Sequence, residues 1–276
     1  MTAQIHYGPR LVAHPTGTLR AALVIAPTAS IEQLSPLQGE PGSIFKRALE
    51  QHSVLVGTLR YFGVEVTVLE APDSAPLACA AADLAVCFEH GAVMMRPSSL
   101  ERRAEVARLE SEFVRLDIPI GGHIAPPALL DGTDVLLAGN TAFIGRTKRS
   151  TAAGRTGFAE IVRANGYEPV EVTVDGGIRS LRSVVNAVAA DTVVFAANRV
   201  DSAAFSGFRT IGVELGQELG AGVFPLGERR VLADLRYRPT IALLHRNGIA
   251  VEAIDLYDFG RVGIVPSNLV LSIKRK

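Results

Sequence analysis

The feature that most constrains this chain is a repeated local order: two short aliphatic runs joined by a tight turn, then a helical stripe, then a third short run. Runs rich in Val, Ile, Leu and Ala at 21–26, 64–69, 84–88, 92–96, 135–138, 142–145, 170–174, 192–196, 223–226, 230–233, 250–256 and 269–273 read as strands. Glu89-His90-Gly91, Gly139-Asn140-Thr141 and Gly227-Glu228-Arg229 each carry a Gly or Asn able to take positive φ, so each predicts a hairpin. A helix is predicted after each: over 100–116 from the stripe Val106, Leu109, Phe113 and Leu116, over 157–165 from Phe158, Ile161 and Val162, and over 237–246 from Ile241 and Leu244. An earlier helix over 44–61 carries Phe45, Leu49, Leu55 and Leu59. Gly63, Gly166 and Gly248 stand where a left-handed cap would end a helix, and a strand follows each at once. These units predict a radial arrangement of ββαβ repeats in one domain spanning 1–276. An ordinary α/β sandwich built from the same elements is the competing reading.

Composition narrows the function more than the fold. Of the 276 residues 48% are hydrophobic, enough for a substantial core, and 28 Lys and Arg balance 28 Asp and Glu. With no excess positive charge, and with no Trp and only 6% aromatics for base stacking, nucleic acid is not expected as a partner. Every apolar run falls short of the ~20 residues that cross a bilayer, and the first residues carry no basic patch leading into an apolar run. The expectation is a soluble protein. Cys79 and Cys87 have no second pair to complete a zinc site, and the six histidines do not form metal spacing, so no metal or cofactor is expected and a cytoplasmic location fits. His52 is expected to pack on its helix and hydrogen-bond a neighbouring strand.

Asp131-Gly132-Thr133-Asp134-Val135-Leu136, Ser180-Leu181-Arg182-Ser183 and further segments in order along almost the whole chain resemble the dimethylarginine dimethylaminohydrolases of the amidinotransferase and deiminase (pentein) superfamily. Asp131-Gly132-Thr133-Asp134-Val135-Leu136 and Phe143-Ile144-Gly145-Arg146-Thr147-Lys148-Arg149 resemble two consecutive strands of that family. Gln51-His52 resembles a pair on its first helix, Asp83-Leu84-Ala85-Val86 its Asp-x-Ala-Val strand, and Arg96-Pro97 to Arg102-Arg103 its turn into a helix. Ser180-Leu181-Arg182-Ser183 resembles its His-Leu-Lys-Ser segment. The resemblance implies an α/β fold of the five-bladed propeller type, in agreement with the repeat read from the residues.

It also implies a chemistry, and the chain departs from it. Family members attack a guanidinium carbon with a cysteine thiolate, use a histidine as acid and base, and hold the cation with carboxylates. A thiolate suits a resonance-stabilised cation, and an alcohol without a dedicated base does not. Here Ser180 stands at the histidine position, and Ser267, in Gly263-Ile264-Val265-Pro266-Ser267-Asn268, falls at or beside the cysteine position. There is no cysteine after Cys87 and no histidine between His123 and His245; Ala82 replaces the acid of a Glu-Asp pair, and Asp131 is one methylene shorter than the family glutamate.

The candidate catalytic positions are therefore Ser180, Ser267 and Asp131. The candidate ligand-binding residues are Asp83, Asp131 and Asp134 for a cation, with Arg102, Arg103 and Arg149 for a substrate carboxylate. For Asp134 the alternative is a brace after Gly132; for the Arg102-Arg103 pair it is a solvated helix start. The leading expectation is a protein that binds a guanidino amino acid with the thiolate hydrolysis lost or replaced. The alternatives are an enzyme of altered chemistry on an arginine derivative, with Asp131 and Asp83 as acid and base, and a structural partner of an active relative. A homo-oligomer is compatible with each.

Overall fold

A computed structural model describes residues 7, 8 and 10–276. The three expected hairpins are present as antiparallel pairs: β3 (Ala85–Cys87) with β4 (Ala92–Met94), β6 (Val135–Ala138) with β7 (Thr141–Arg146), and β12 (Phe224–Gly227) with β13 (Arg230–Asp234). Their turns use different devices. Gly139 takes positive φ as expected, but in the last hairpin that conformation falls on Arg229 rather than on Gly227. Gly91 does not take it; a Cβ there would stand 3.0 Å from the Gly121 nitrogen, so this glycine is required by the close approach of the neighbouring strand.

The second strand of each hairpin then pairs in parallel with a strand reached through a helix. The helices are α2 (Leu100–Arg115), α3 (Ala152–Ala164) and α4 (Arg238–Arg246), and the strands are β5 (Ile120–His123), β8 (Glu168–Thr173) and β14 (Ala250–Ile254). Two further sheets complete the set. In one, β9 (Val185–Ala189), β10 (Thr192–Ala196) and β11 (Arg209–Val213) repeat the pattern, with a 3-10 turn over Ser202–Phe205 in place of a long helix. In the other, β15 (Leu271–Arg275) at the chain's end pairs antiparallel with β1 (Leu19–Ile25), which pairs in parallel with β2 (Glu65–Leu69) after α1 (Phe45–Tyr61). The result is five three-stranded sheets, a five-bladed α/β propeller.

The helix faces mostly follow the expected stripes. Leu109, Phe113 and Leu116 are buried on α2, and Phe158 and Val162 on α3. On α1 the buried face is Ala48, His52, Leu55, Val56 and Leu59, and Leu49 points outward at 41% exposure. The stripe is rotated because the helix also packs Gln51 and His52 inward. His52 is buried, but its Nε2 has no hydrogen-bond partner, so the expected bond to a strand is not formed through that atom. Burial pushes its imidazole down to about 4, and it stays neutral. Helix α3 begins five residues earlier than its apolar stripe, because the Thr151 hydroxyl caps it by accepting from Gly154 N at 3.1 Å.

The first strand of each blade, β3, β6, β9, β12 or β15, is innermost and lines the propeller axis. Short helical turns lead directly into these strands: 3-10 turns over Ala81–Asp83, Gly132–Asp134 and Leu181–Ser183, and α6 (Pro266–Leu269), which follows the single turn α5 (Tyr257–Gly260). Neighbouring turns touch one another at the axis. Every candidate residue except Arg102, Arg103 and Arg149 lies in or beside one of these turns.

Candidate functional site

Gly132 permits this convergence. A Cβ there would collide with the Ala82 carbonyl oxygen and stand 3.0 Å from that of Ala85, so only a glycine lets two of the turns meet. The contact brings Asp83 and Asp131 together with Asp134, and all three side chains are 0% exposed. Their oxygens are already engaged by partners within the protein.

Asp83 is the hub. Its Oδ1 accepts from the Thr133 hydroxyl, and its Oδ2 accepts from Arg102 Nη1 and, at 2.8 Å, from Arg179 Nη2; Arg149 Nη2 lies 3.5 Å from the same oxygen. Arg102 is 2% exposed and also donates to Glu105 and to the Ala80 carbonyl at 3.1 Å. It is therefore neither a solvated helix-start residue nor a free grip for a ligand carboxylate; its guanidinium is spent inside the protein. Arg149 is ion-paired with Asp131, whose other oxygen accepts the Ser98 backbone N–H at 3.1 Å. Arg103 stands apart, donating to the Pro97 carbonyl at 3.2 Å.

Asp134 is held by two neutral donors, the Thr147 hydroxyl at 2.6 Å and Leu181 N at 3.0 Å, and so ties the third blade to the fourth. This is the bracing role, reached across blades rather than within its own turn.

The carboxylates differ in acidity because their partners differ. Burial pushes Asp83 up, but the guanidiniums of Arg179, Arg149 and Arg102 outweigh it and hold the group well below the usual carboxylate range. Asp131 goes the other way: burial, then the Asp83 charge, push it up to about 6 against the pull of Arg149. Asp134 is raised by burial to about 7, since hydrogen bonds from neutral donors compensate less than a cation does.

The two serines are also committed. Ser180 Oγ lies 2.9 Å from Ser183 Oγ and accepts a 3.5 Å contact from Asn268 Nδ2, and Ser267 Oγ donates to the Arg182 carbonyl at 2.8 Å. Among the described residues neither hydroxyl has a histidine or carboxylate as a hydrogen-bond partner. Cys79 is buried near the same cluster; burial pushes its thiol up to about 12 against the charges of Arg102 and Arg179, so it is held as a thiol. No group of three or more His, Cys, Asp or Glu among the described residues could hold a metal ion, and no helix among them is long and apolar enough to cross a membrane.

A family model described as N,N-dimethylarginine dimethylhydrolase, eukaryotic, matches residues 26–205, and a Streptomyces coelicolor N(G),N(G)-dimethylarginine dimethylaminohydrolase is 31% identical over 78% of this chain and 81% of its own length. The chain belongs to the dimethylarginine dimethylaminohydrolase family. The human protein described as putative hydrolase DDAH2 is 32% identical over 52% of this chain and 50% of its own. Solved structures agree on the fold. The Pseudomonas aeruginosa dimethylarginine dimethylaminohydrolase, solved in complex with citrulline, superposes with a TM-score of 0.84 at 20% identity, covering 92% of this chain and 99% of that one. The amidinotransferase SxtG of Microseira wollei superposes with a TM-score of 0.81 at 13% identity, covering 97% and 98%.

Within this dimethylarginine dimethylaminohydrolase family member, sequence reasoning missed Arg179, the residue immediately before Ser180. A signal was present: Arg179 and Arg182 bracket two small or apolar residues just ahead of a buried run, and an arginine close to the core calls for a partner. Thr133 and Glu105 were likewise passed over, and both serve to satisfy charges that the candidate list already contained.

Proposed function

We propose that this chain is a non-hydrolysing member of its family whose guanidinium-binding carboxylate is filled by the protein's own arginine. The observation that carries this is the Arg179 Nη2 to Asp83 Oδ2 hydrogen bond of 2.8 Å, made beside the contacts of Arg102 and Thr133 to the same carboxylate. A guanidino amino acid would need to displace Arg179 before meeting Asp83. The exchange is like for like, so it turns on concentration, and a tethered group acts at an effective concentration in the mM range or above. A free guanidino compound at micromolar levels therefore loses to Arg179 unless it gains contacts elsewhere, for example a carboxylate on Arg149.

Hydrolysis is disfavoured on separate grounds. Among the described residues the buried hydroxyls of Ser180 and Ser267 have no general base as a hydrogen-bond partner, and Asp83 is too acidic to accept a proton near neutral pH. A second reading, acid–base chemistry on an arginine derivative, draws on Asp131 and Asp134, raised to about 6 and about 7. Their complete burial and their internal partners argue for a structural role instead. Incubation with asymmetric dimethylarginine and with arginine at pH 6 to 8 tests both readings: the expected result is no citrulline and no loss of substrate. Turnover at an enzyme-like rate, in either measure, would overturn the proposal.

A further inference from the structure

The outward face of α1 is unlike that of the other helices that cross over between strands. It exposes Leu49, Val54 and Tyr61, the last at 85%, with Ile44 exposed at its N-cap. By contrast, α2 exposes Leu100 and Val114 near its two ends, and α3 and α4 expose no large apolar side chain among the described residues. The charges of α1 are also unspent. Arg47, Glu50 and Arg60 are exposed, and their side chains form no ion pair or hydrogen bond among the described residues. Exposed charges elsewhere do pair, as in Arg115 with Glu112 and Arg230 with Glu252.

Arg47, Glu50, Val54, Gly57 and Tyr61 alternate by three and four residues, the spacing that aligns side chains in one seam along a helix. The seam has a knob at one end and a hollow beside the other. Tyr61 is the knob: its ring stands edge-on to Phe62 with 5.2 Å between centroids, and its hydroxyl has no hydrogen-bond partner among the described residues. The hollow, of about 340 Å³, lies between Arg47, Glu50, Gln51 and Val54 of α1 and the corner after β14 that carries Asp255, Tyr257 and Asp258. That corner is tied to the helix, because Asp258 N donates to Gln51 Oε1 at 3.0 Å and Gln51 Nε2 donates to Asp258 Oδ2 at 3.3 Å. Arg47 and Tyr61 each lie seven residues from Val54, about 10.5 Å along the helix in opposite directions. A Cβ at Gly57 would meet open space, so a second backbone can approach the seam closely there.

We propose that α1 is the interface of a homodimer, in which two copies of this chain pack their α1 helices antiparallel about a two-fold axis through Val54. A two-fold axis demands a surface that complements itself, and this seam does so. Tyr61 of each copy enters the hollow of the other and stacks on the Arg47 guanidinium at its rim, an arginine that has no partner within its own chain. The neighbouring cation, Arg60, is brought to the end of the other copy that carries the exposed acids Glu50 and Asp255. Val54 meets its own counterpart at the centre. The 17 residues of α1 span about 25 Å, so one helix pair buries an area at the low end for specific complexes, under about 1,200 Å². The dimer is therefore a micromolar, exchanging one. It does not depend on the reading given for the Asp83 cluster.

Sedimentation velocity of the intact chain from about 1 µM to about 1 mM tests the association, and the expected result is a monomer that converts to a dimer within that range. Tyr61→Ala removes an exposed ring, so the variant should fold as the wild type does and dimerise about tenfold or more weakly. A second variant tests the geometry. Val54→Cys places one thiol on the two-fold axis and should cross-link two chains on mild oxidation, whereas Val114→Cys, on the exposed face of α2, should stay monomeric under the same treatment; the native Cys79 and Cys87 are buried. The proposal fails if the chain stays monomeric up to about 1 mM, if Tyr61→Ala dimerises as well as the wild type, or if Val114→Cys cross-links as readily as Val54→Cys.

Discussion

The two ends of the propeller axis hold similar residues in opposite states. Where the turns converge, three aspartates meet Arg102, Arg149 and Arg179, and Asp83 is bonded so fully that its carboxylate stays ionised despite complete burial. Farther along the same axis, Arg182 and Arg275 share a cavity that no acid among the described residues lines. Taking a charge out of water costs several kcal/mol unless a partner repays it. At the first end the partner is internal; at the second Arg275 is held by backbone carbonyls and Arg182 keeps part of its surface exposed. The difference lies in which strand-leading turn supplies an acid: those of the second and third blades do, through Asp83, Asp131 and Asp134, and that of the fourth supplies Arg179 and Arg182 instead.

The comparison breaks most visibly at Asp83. Asp83→Asn removes the one charge shared by three guanidiniums and should cost about 3–5 kcal/mol in chemical denaturation. A loss below about 1 kcal/mol would show that the network is not the keystone of that end. Gly132→Ala probes the same end without touching a charge: the added methyl meets the Ala82 carbonyl, and a loss of about 1–3 kcal/mol is expected from the same measurement.

Asp134 separates acids paired with cations from acids paired with neutral donors. Its carboxyl titrates at about 7 in the folded chain and near 3.9 unfolded. Between those values the native state holds a proton that the unfolded state has released, so this group favours folding at low pH and its contribution is lost as pH rises through 7. Asp83 has the opposite sign: its contribution is present above about pH 4 and lost on acidification. Asp134→Asn should therefore flatten the stability profile between pH 4 and 7, by at most about 1.4 kcal/mol per pH unit, and leave the variant the more stable of the two above pH 7. Unfolding curves across that range check it; parallel profiles would contradict the assignment. The smallest effect belongs to the far end of the axis, where Arg182→Leu, which removes a partly exposed guanidinium with no hydrogen-bond partner among the described residues, should change stability by less than about 1 kcal/mol in chemical denaturation.

The fold was legible where turn chemistry and apolar periodicity agreed. Gly63, Gly166 and Gly248 take positive φ at the ends of their helices, and the three hairpins lie where their turns placed them. The strands that escaped notice lack the usual signal. In β5 the sequence Ile-Gly-Gly-His has little β propensity, and β11 is interrupted by Gly212. In β9 all five residues are buried and Asn186 sits mid-strand, so no alternation marks it. At the site, Asp83, Asp131 and Asp134 were legible as a central cluster, because the resemblance placed each at the head of an inner strand. Their partners were not. Pairing an aspartate on the second blade with an arginine on the fourth requires knowing that the blades close around an axis, which local sequence does not encode. Arg102 therefore read as a grip for a ligand carboxylate or a solvated helix start, and Arg179 went unremarked, until the fold joined them to Asp83.

The central claim is that Arg179 stands in for a ligand guanidinium on Asp83, and Arg179→Ala tests it most directly. The variant vacates a site shaped for that group and retains Asp83, Arg102 and Thr133. Its melting temperature should rise with about 10 mM methylguanidinium, while the wild type, whose site is filled, should be indifferent to it. Equal shifts in the two proteins, or none in the variant, would contradict the account.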